Sequence, residues 1–106
     1  MSEFIVALTT CPIEVAESLA RIVVEERVCA CVNIIPMVKS IYHWKNEIVV
    51  ENEALLIMKT KAELASSLEE VIEKTHPYEI PEYVVLGIKE GAKDYLDWIV
   101  HATKSV

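Results

Sequence analysis

The longest run of strand character in this chain folds back on itself, and its length alone limits the architectures available. Thirteen residues, Ile48 to Thr60, read as one strand interrupted only by the polar patch Glu51-Asn52-Glu53. At about 3.3 Å per residue such a strand spans roughly 43 Å, whereas a domain of about one hundred residues has a diameter of roughly 33 Å. The preceding segment matches it: Val28 to Pro36 and Val38 to Trp44 carry strand character, and Lys45-Asn46 makes the turn. Asn tolerates the positive φ that a two-residue hairpin turn needs, although Gly is the stronger turn signal. Pro36 has no N–H to give to the ladder and should mark a bend or bulge. The hairpin therefore outruns its own domain. Its tip carries Ile41, Tyr42, Trp44, Ile48, Val49 and Val50, too apolar for an exposed edge. Copies of the chain are expected to pair along these hairpins as a homo-oligomer.

The remaining elements fall on either side of the hairpin. Phe4 to Leu8 is a short apolar run that reads as a buried strand. Pro12 suits a helix start, and from Ile13 to Glu26 a stripe of Ala16, Leu19, Ala20 and Val23 faces one way, with Glu14, Glu17, Arg21 and Glu25 turned largely away. Ala62 to Lys74 repeats the pattern with Leu64, Leu68, Val71 and Ile72. Two prolines exclude His76 to Pro81 from helix or interior strand. Tyr83 to Ile88 is a fourth strand, and Tyr95, Leu96, Trp98 and Ile99 mark a C-terminal helix. The order β-α-β-β-α-β predicts an α+β, ferredoxin-like sandwich in a single domain spanning residues 1–106.

Composition narrows the function. Seventeen acidic residues against ten basic ones give a net charge of −7, with no basic run; this excludes a phosphate-backbone partner and an anionic membrane surface. No apolar stretch is long enough to span a bilayer, and the N-terminus lacks the pattern of a signal peptide. Three cysteines without framework spacing fit free thiols in a reducing compartment, so a cytoplasmic protein is expected.

Chemistry concentrates in a few places. His76-Pro77-Tyr78-Glu79 puts an imidazole, a phenol and a carboxylate on one rigid loop, where His76 and Glu79 could ligate a cation or transfer a proton. The competing reading is that His76 and Tyr78 only bind the loop to the sheet. Cys29-Ala30-Cys31 places two thiols on one strand face, a soft pair suited to copper or zinc, although buried Cys is also a common core residue. Cys11 sits where the first strand passes into the first helix, and a helix N-terminus would lower its pKa. Glu53 and Lys59 are six residues apart on the third strand and so share a face. His43 and His101 have no partner in sequence and read as surface residues. No Gly-rich phosphate loop and no hydrolase motif occurs, and the chain is not expected to be an enzyme.

These residues also form a pattern. Ala30-Cys31-Val32-Asn33, Ser40-Ile41-Tyr42-His43-Trp44, Glu53, Lys59-Thr60, His76-Pro77-Tyr78-Glu79-Ile80-Pro81 and Tyr95-Leu96-Asp97-Trp98 closely resemble the CutA family, the divalent-cation tolerance proteins, in order and over nearly the whole chain. The resemblance implies a PII-like homotrimer whose long hairpins extend each subunit's sheet into its neighbour. It implies tolerance of copper and other divalent metals, and no established catalysis. Residue by residue it carries over Trp44, Glu53, Lys59 and Tyr78 as cleft residues that would bind a ligand. As metal ligands it suggests Cys31, His76 and Glu79, with Cys11 as a substitute, for copper or another divalent cation. Two departures bear on copper: where copper-binding members can carry a Cys and a His, this chain has Thr9 and Thr75. The usual hairpin Gly is Asn46. The alternative reading is a PII-like regulator that binds a small molecule in the cleft between subunits.

Overall fold

Alternation builds the sheet. The computed structural model describes residues 2–106. In β1, Phe4–Cys11, every second residue is buried, so Ile5, Ala7, Thr9 and Cys11 face the helices while Phe4, Val6, Leu8 and Thr10 face the other way. A single 3-10 turn at Ile13–Val15 leads into α1, Ala16–Glu25, whose buried residues are the expected stripe of Ala16, Leu19, Ala20 and Val23. β2, Cys31–Trp44, and β3, Glu47–Lys61, form the hairpin. A 3-10 turn at Ala62–Leu64 then enters α2, Ala65–Thr75, with Leu68, Val71 and Ile72 buried. β4, Val84–Gly87, and α3, Lys93–Ala102, complete the fold.

The strands lie in the order β2-β3-β1-β4 with every neighbouring pair antiparallel, the arrangement that two crossover helices on one sheet require. The core is where α1 and α2 meet the inner face, around Leu19, Val23, Leu56, Met58, Leu68 and Ile72. α3 is pinned at its end: Lys104 N–H donates to the Arg27 carbonyl (2.9 Å), and Lys61 Nζ donates to the Lys104 carbonyl (2.7 Å).

The second strand starts three residues later than the sequence pattern suggests, because α1 ends in a Schellman motif. Arg27 takes φ 59°, Arg27 N–H reaches the Val24 carbonyl (3.0 Å) and Val28 N–H the Val23 carbonyl (3.2 Å), satisfying carbonyls the helix end would leave open. Cys29 therefore lies in the connecting bend, inside the core, with Sγ donating to the Cys31 and Lys59 carbonyls at 3.2 and 3.3 Å. Cys31, partly exposed, pairs across the ladder with Lys59 on the opposite sheet face. The expectation that the two thiols share a face fails for that reason.

In the hairpin, Lys45 and Asn46 have φ of 50° and 67°, the signature of a type I′ turn. Pairing passes from Ile35↔Leu55 to Val38↔Glu53, so Pro36 and Met37 oppose Ala54 alone. This is the bulge that the missing N–H of Pro36 implies. Without the extra residue, Lys39, Ile41 and His43 would share a face with Glu51 and Glu53; with it, Ser40, Tyr42 and Trp44 do. The hairpin stretches the molecule to 44 Å along one axis against 25 and 22 Å along the others. Its tip leaves Ile41, Ile48 and Val50 more than half exposed, and edge strand β4 does the same with Leu86.

Candidate functional site

A groove of about 810 Å³ opens between the hairpin and the loop that follows α2. The hairpin contributes Ser40, Tyr42 and Trp44 from β2, and Val49, Glu51 and Glu53 from β3. Ser40 lies opposite Glu51 and Tyr42 opposite Val49 in the ladder, with Trp44 and Glu53 on the same face further along, and Ile41 borders the groove between them. The loop supplies the other wall, Pro77 to Glu82, and its two prolines hold it out of helix and sheet.

Three hydrogen bonds fix that loop. His76 is buried, and Nε2–H donates to the Thr10 carbonyl at 2.7 Å. A carbonyl only accepts, so Nε2 carries the ring proton and Nδ1 is free to accept the Tyr78 amide N–H at 3.1 Å. Tyr78 in turn donates its hydroxyl to Glu53 Oε2 at 2.6 Å. Glu53 is only 3% exposed. Burial, then the bond to Glu53 and its charge, push the Tyr78 phenol well above the usual tyrosine value. Tyr42 makes a matching bond to Glu51 at 2.6 Å, which with the neighbouring carboxylates pushes its pKa up to about 12. Both phenols therefore keep their protons and act as donors.

The residues singled out from sequence divide into separate places. Trp44, Glu53, Tyr78 and Glu79 line the groove. His76 lies behind the loop wall with both ring nitrogens engaged. Lys59 shares the sheet face of Glu53 as expected, but stands roughly 20 Å along the strand, beside Cys31 in the ladder. Cys11 is fully buried on the inner face of β1, and α1 begins five residues further on. Burial, then the negative charges of Glu53 and Glu14, push its thiol up to about 11, the reverse of the lowering that a helix N-terminus would give. Sequence reasoning had not marked Tyr42, Glu51 or Glu82 as site residues. The first two were legible by period-two counting from Trp44 and Glu53.

Comparison with known proteins gives the family and the fold. The model of the CutA1 divalent ion tolerance protein family matches residues 5–102. This chain belongs to the CutA1 family. Protein CutA of Mus musculus is 45% identical over 101 residues, covering 94% of this chain and 57% of the mouse protein. This chain thus spans little more than half the length of the mammalian relatives it matches. The divalent-cation tolerance protein CutA of Thermus thermophilus is 45% identical over 92% of this chain and 94% of its own. Among solved CutA structures, the PII-like protein CutA of Nostoc sp. PCC 7120 superposes with a TM-score of 0.90 at 39% identity, covering 94% of this chain and 97% of that one.

The family name raises the question of a metal, and the donors answer it for one protomer. Among the described residues no three His, Cys, Asp or Glu side chains come together. Cys31, His76, Glu79 and Cys11 are dispersed between the open sheet face, the loop base, the groove wall and the core. Thr9 is buried, and the Thr75 hydroxyl is bonded to the Val71 carbonyl at 2.7 Å, so neither adds a donor to them. A soft copper centre of those residues does not fit within a single chain. No helix in the described residues is long and apolar enough to cross a membrane.

Proposed function

We propose that this chain works in divalent-cation tolerance as a cytoplasmic, non-catalytic homotrimer of PII-like design, and that the groove beside the hairpin is where it takes its ligand. One observation carries the reading: the groove gathers aromatic rings and carboxylates from three elements, whereas the potential soft metal ligands stay apart. Groove volumes in the range of about 300–1,000 Å³ suit small organic ligands. A non-catalytic role is supported by His76, the loop imidazole, being held at both nitrogens. Trimerisation is supported by the exposed apolar hairpin tip and edge strand. A second reading, direct binding of a hard divalent cation, draws on the carboxylates of Glu51, Glu53, Glu79 and Glu82 lining the groove, but no three of them converge among the described residues.

Titration of the reduced protein with copper and zinc, alongside His76→Ala, tests this. Binding that is weak, or that survives the substitution, agrees with a ligand groove in which His76 only positions the loop. Sub-micromolar binding lost in His76→Ala would instead place a metal centre at that imidazole and overturn the reading.

A further inference from the structure

The charge of the groove is one-sided, and that narrows what can occupy it. Glu51, Glu53, Glu79 and Glu82 line it, and no Lys, Arg or His does. Among the described residues the ion pairs are Arg21–Glu17, Lys61–Glu63 and Lys93–Asp97, so none neutralises a groove carboxylate. Glu53 is the informative member. Its carboxylate is almost entirely withdrawn from water, yet its hydrogen-bond partner is a neutral phenol on Oε2, and the nearer of the two lysines on the same face of its strand, Lys59, is roughly 20 Å away. A buried carboxylate without a cation is costly, and a positive ligand would supply the missing charge.

Aromatic rings decide what kind of positive ligand. Tyr42, Trp44 and Tyr78 line the same space, and ring faces attract organic cations that keep little water. The chain already places a cation on Trp44, with Lys45 Nζ at 5.9 Å from the ring centroid. A bare metal ion would use none of this apolar wall. It would also need several converging oxygens, and no three acidic groups converge among the described residues. Among the residues that line the groove in one protomer, an anion would meet only like charge.

We propose that the groove binds an organic ammonium ion, its charge set against Glu53 and its carbon body against Tyr42, Trp44 and Tyr78. This rests on the reading of the groove as the ligand site. The test titrates the reduced, assembled protein with three probes of similar size: phenylethylammonium, 2-phenylethanol and 3-phenylpropanoate. Saturable binding of the ammonium alone is expected. It should weaken about tenfold in Glu53→Gln and in Trp44→Ala, the scale of one lost desolvated contact, and stay unchanged in Glu25→Gln, a carboxylate outside the groove. Glu79→Gln, at an exposed side chain, provides a second charge variant whose folding is not in question, and it should weaken binding in the same direction. Equal or tighter binding of the alcohol or the carboxylate, still lost in Trp44→Ala, overturns the ammonium assignment while leaving the groove a ligand site. Absence of saturable binding by all three probes overturns both.

Discussion

Tyr78 shows how much a single hydroxyl can hold in place. Its phenol is the donor to a carboxylate that is nearly buried, and its amide is the donor to His76. In Tyr78→Phe the amide bond survives but Glu53 loses its donor. Stranding a buried acceptor costs roughly 1–3 kcal/mol, so the urea midpoint should drop accordingly. Tyr42→Phe, whose Glu51 partner stands more open to water, should leave the midpoint nearly unchanged. Equal effects would show that burial of Glu53 does not govern the bond. The buried thiols make a second prediction. Cys11 and Cys29 are pushed from the ordinary 9.0 to about 11, chiefly by burial. The unfolded chain then releases these protons before the folded one does. Stability is therefore whole below about pH 9 and is lost as pH rises towards 11. Cys29→Ala, compared with its own neutral-pH value, should show a shallower alkaline decline.

At the level of elements, the hairpin turn is the place where sequence and geometry agree least comfortably. Lys45 and Asn46 both hold positive φ, which Asn tolerates and Lys does not favour. Asn46→Gly should raise stability by about 0.5 kcal/mol, and pairing it with Lys45→Asn should add to that, as a shift of urea midpoint at constant slope would show. A decrease would mean that Lys45, through its position over Trp44, contributes more than its backbone strain costs. The elements were legible because their periods were clean. The α1 and α2 stripes, the Lys45-Asn46 turn and the bulge at Pro36 all follow from residue type. The start of β2 was not legible, because nothing in Glu26-Arg27-Val28 announces a left-handed residue; Gly at 27 would have. That one unannounced turn separates Cys29 from Cys31 and dissolves the thiol pair. The groove was half legible: Glu53, Tyr78 and Glu79 stood out by chemistry, whereas Tyr42 and Glu51 follow only from counting by two along strands whose pairing the bulge sets.

For the whole molecule, the imbalance between hairpin and body is the property that most needs a partner. The longest dimension is 44 Å, twice the shortest, and the excess length carries much of the apolar exposure: Ile41 is 66% and Ile48 61% exposed. At about 25 cal/mol per Å² of apolar surface covered, burying such residues at each of three equivalent contacts gives assembly a strong drive. Assembly would then add to the stability of the fold, since the isolated protomer keeps those side chains in water. The proposed trimer therefore predicts a scattering mass three times the 12.0 kDa of the chain, and a melting temperature that rises with protein concentration. Ile48 pairs with His43 and Ile41 with Val50, on the sheet face opposite Tyr42, and of the two only Ile41 borders the groove. The double substitution Ile41→Lys, Ile48→Lys should thus lower the mass towards 12.0 kDa and remove the concentration dependence, while the α1 and α2 core, which neither residue touches, keeps its helical signal. A parent protein that already scatters as a monomer would remove the trimer from the proposal and leave the exposed hairpin to some other partner.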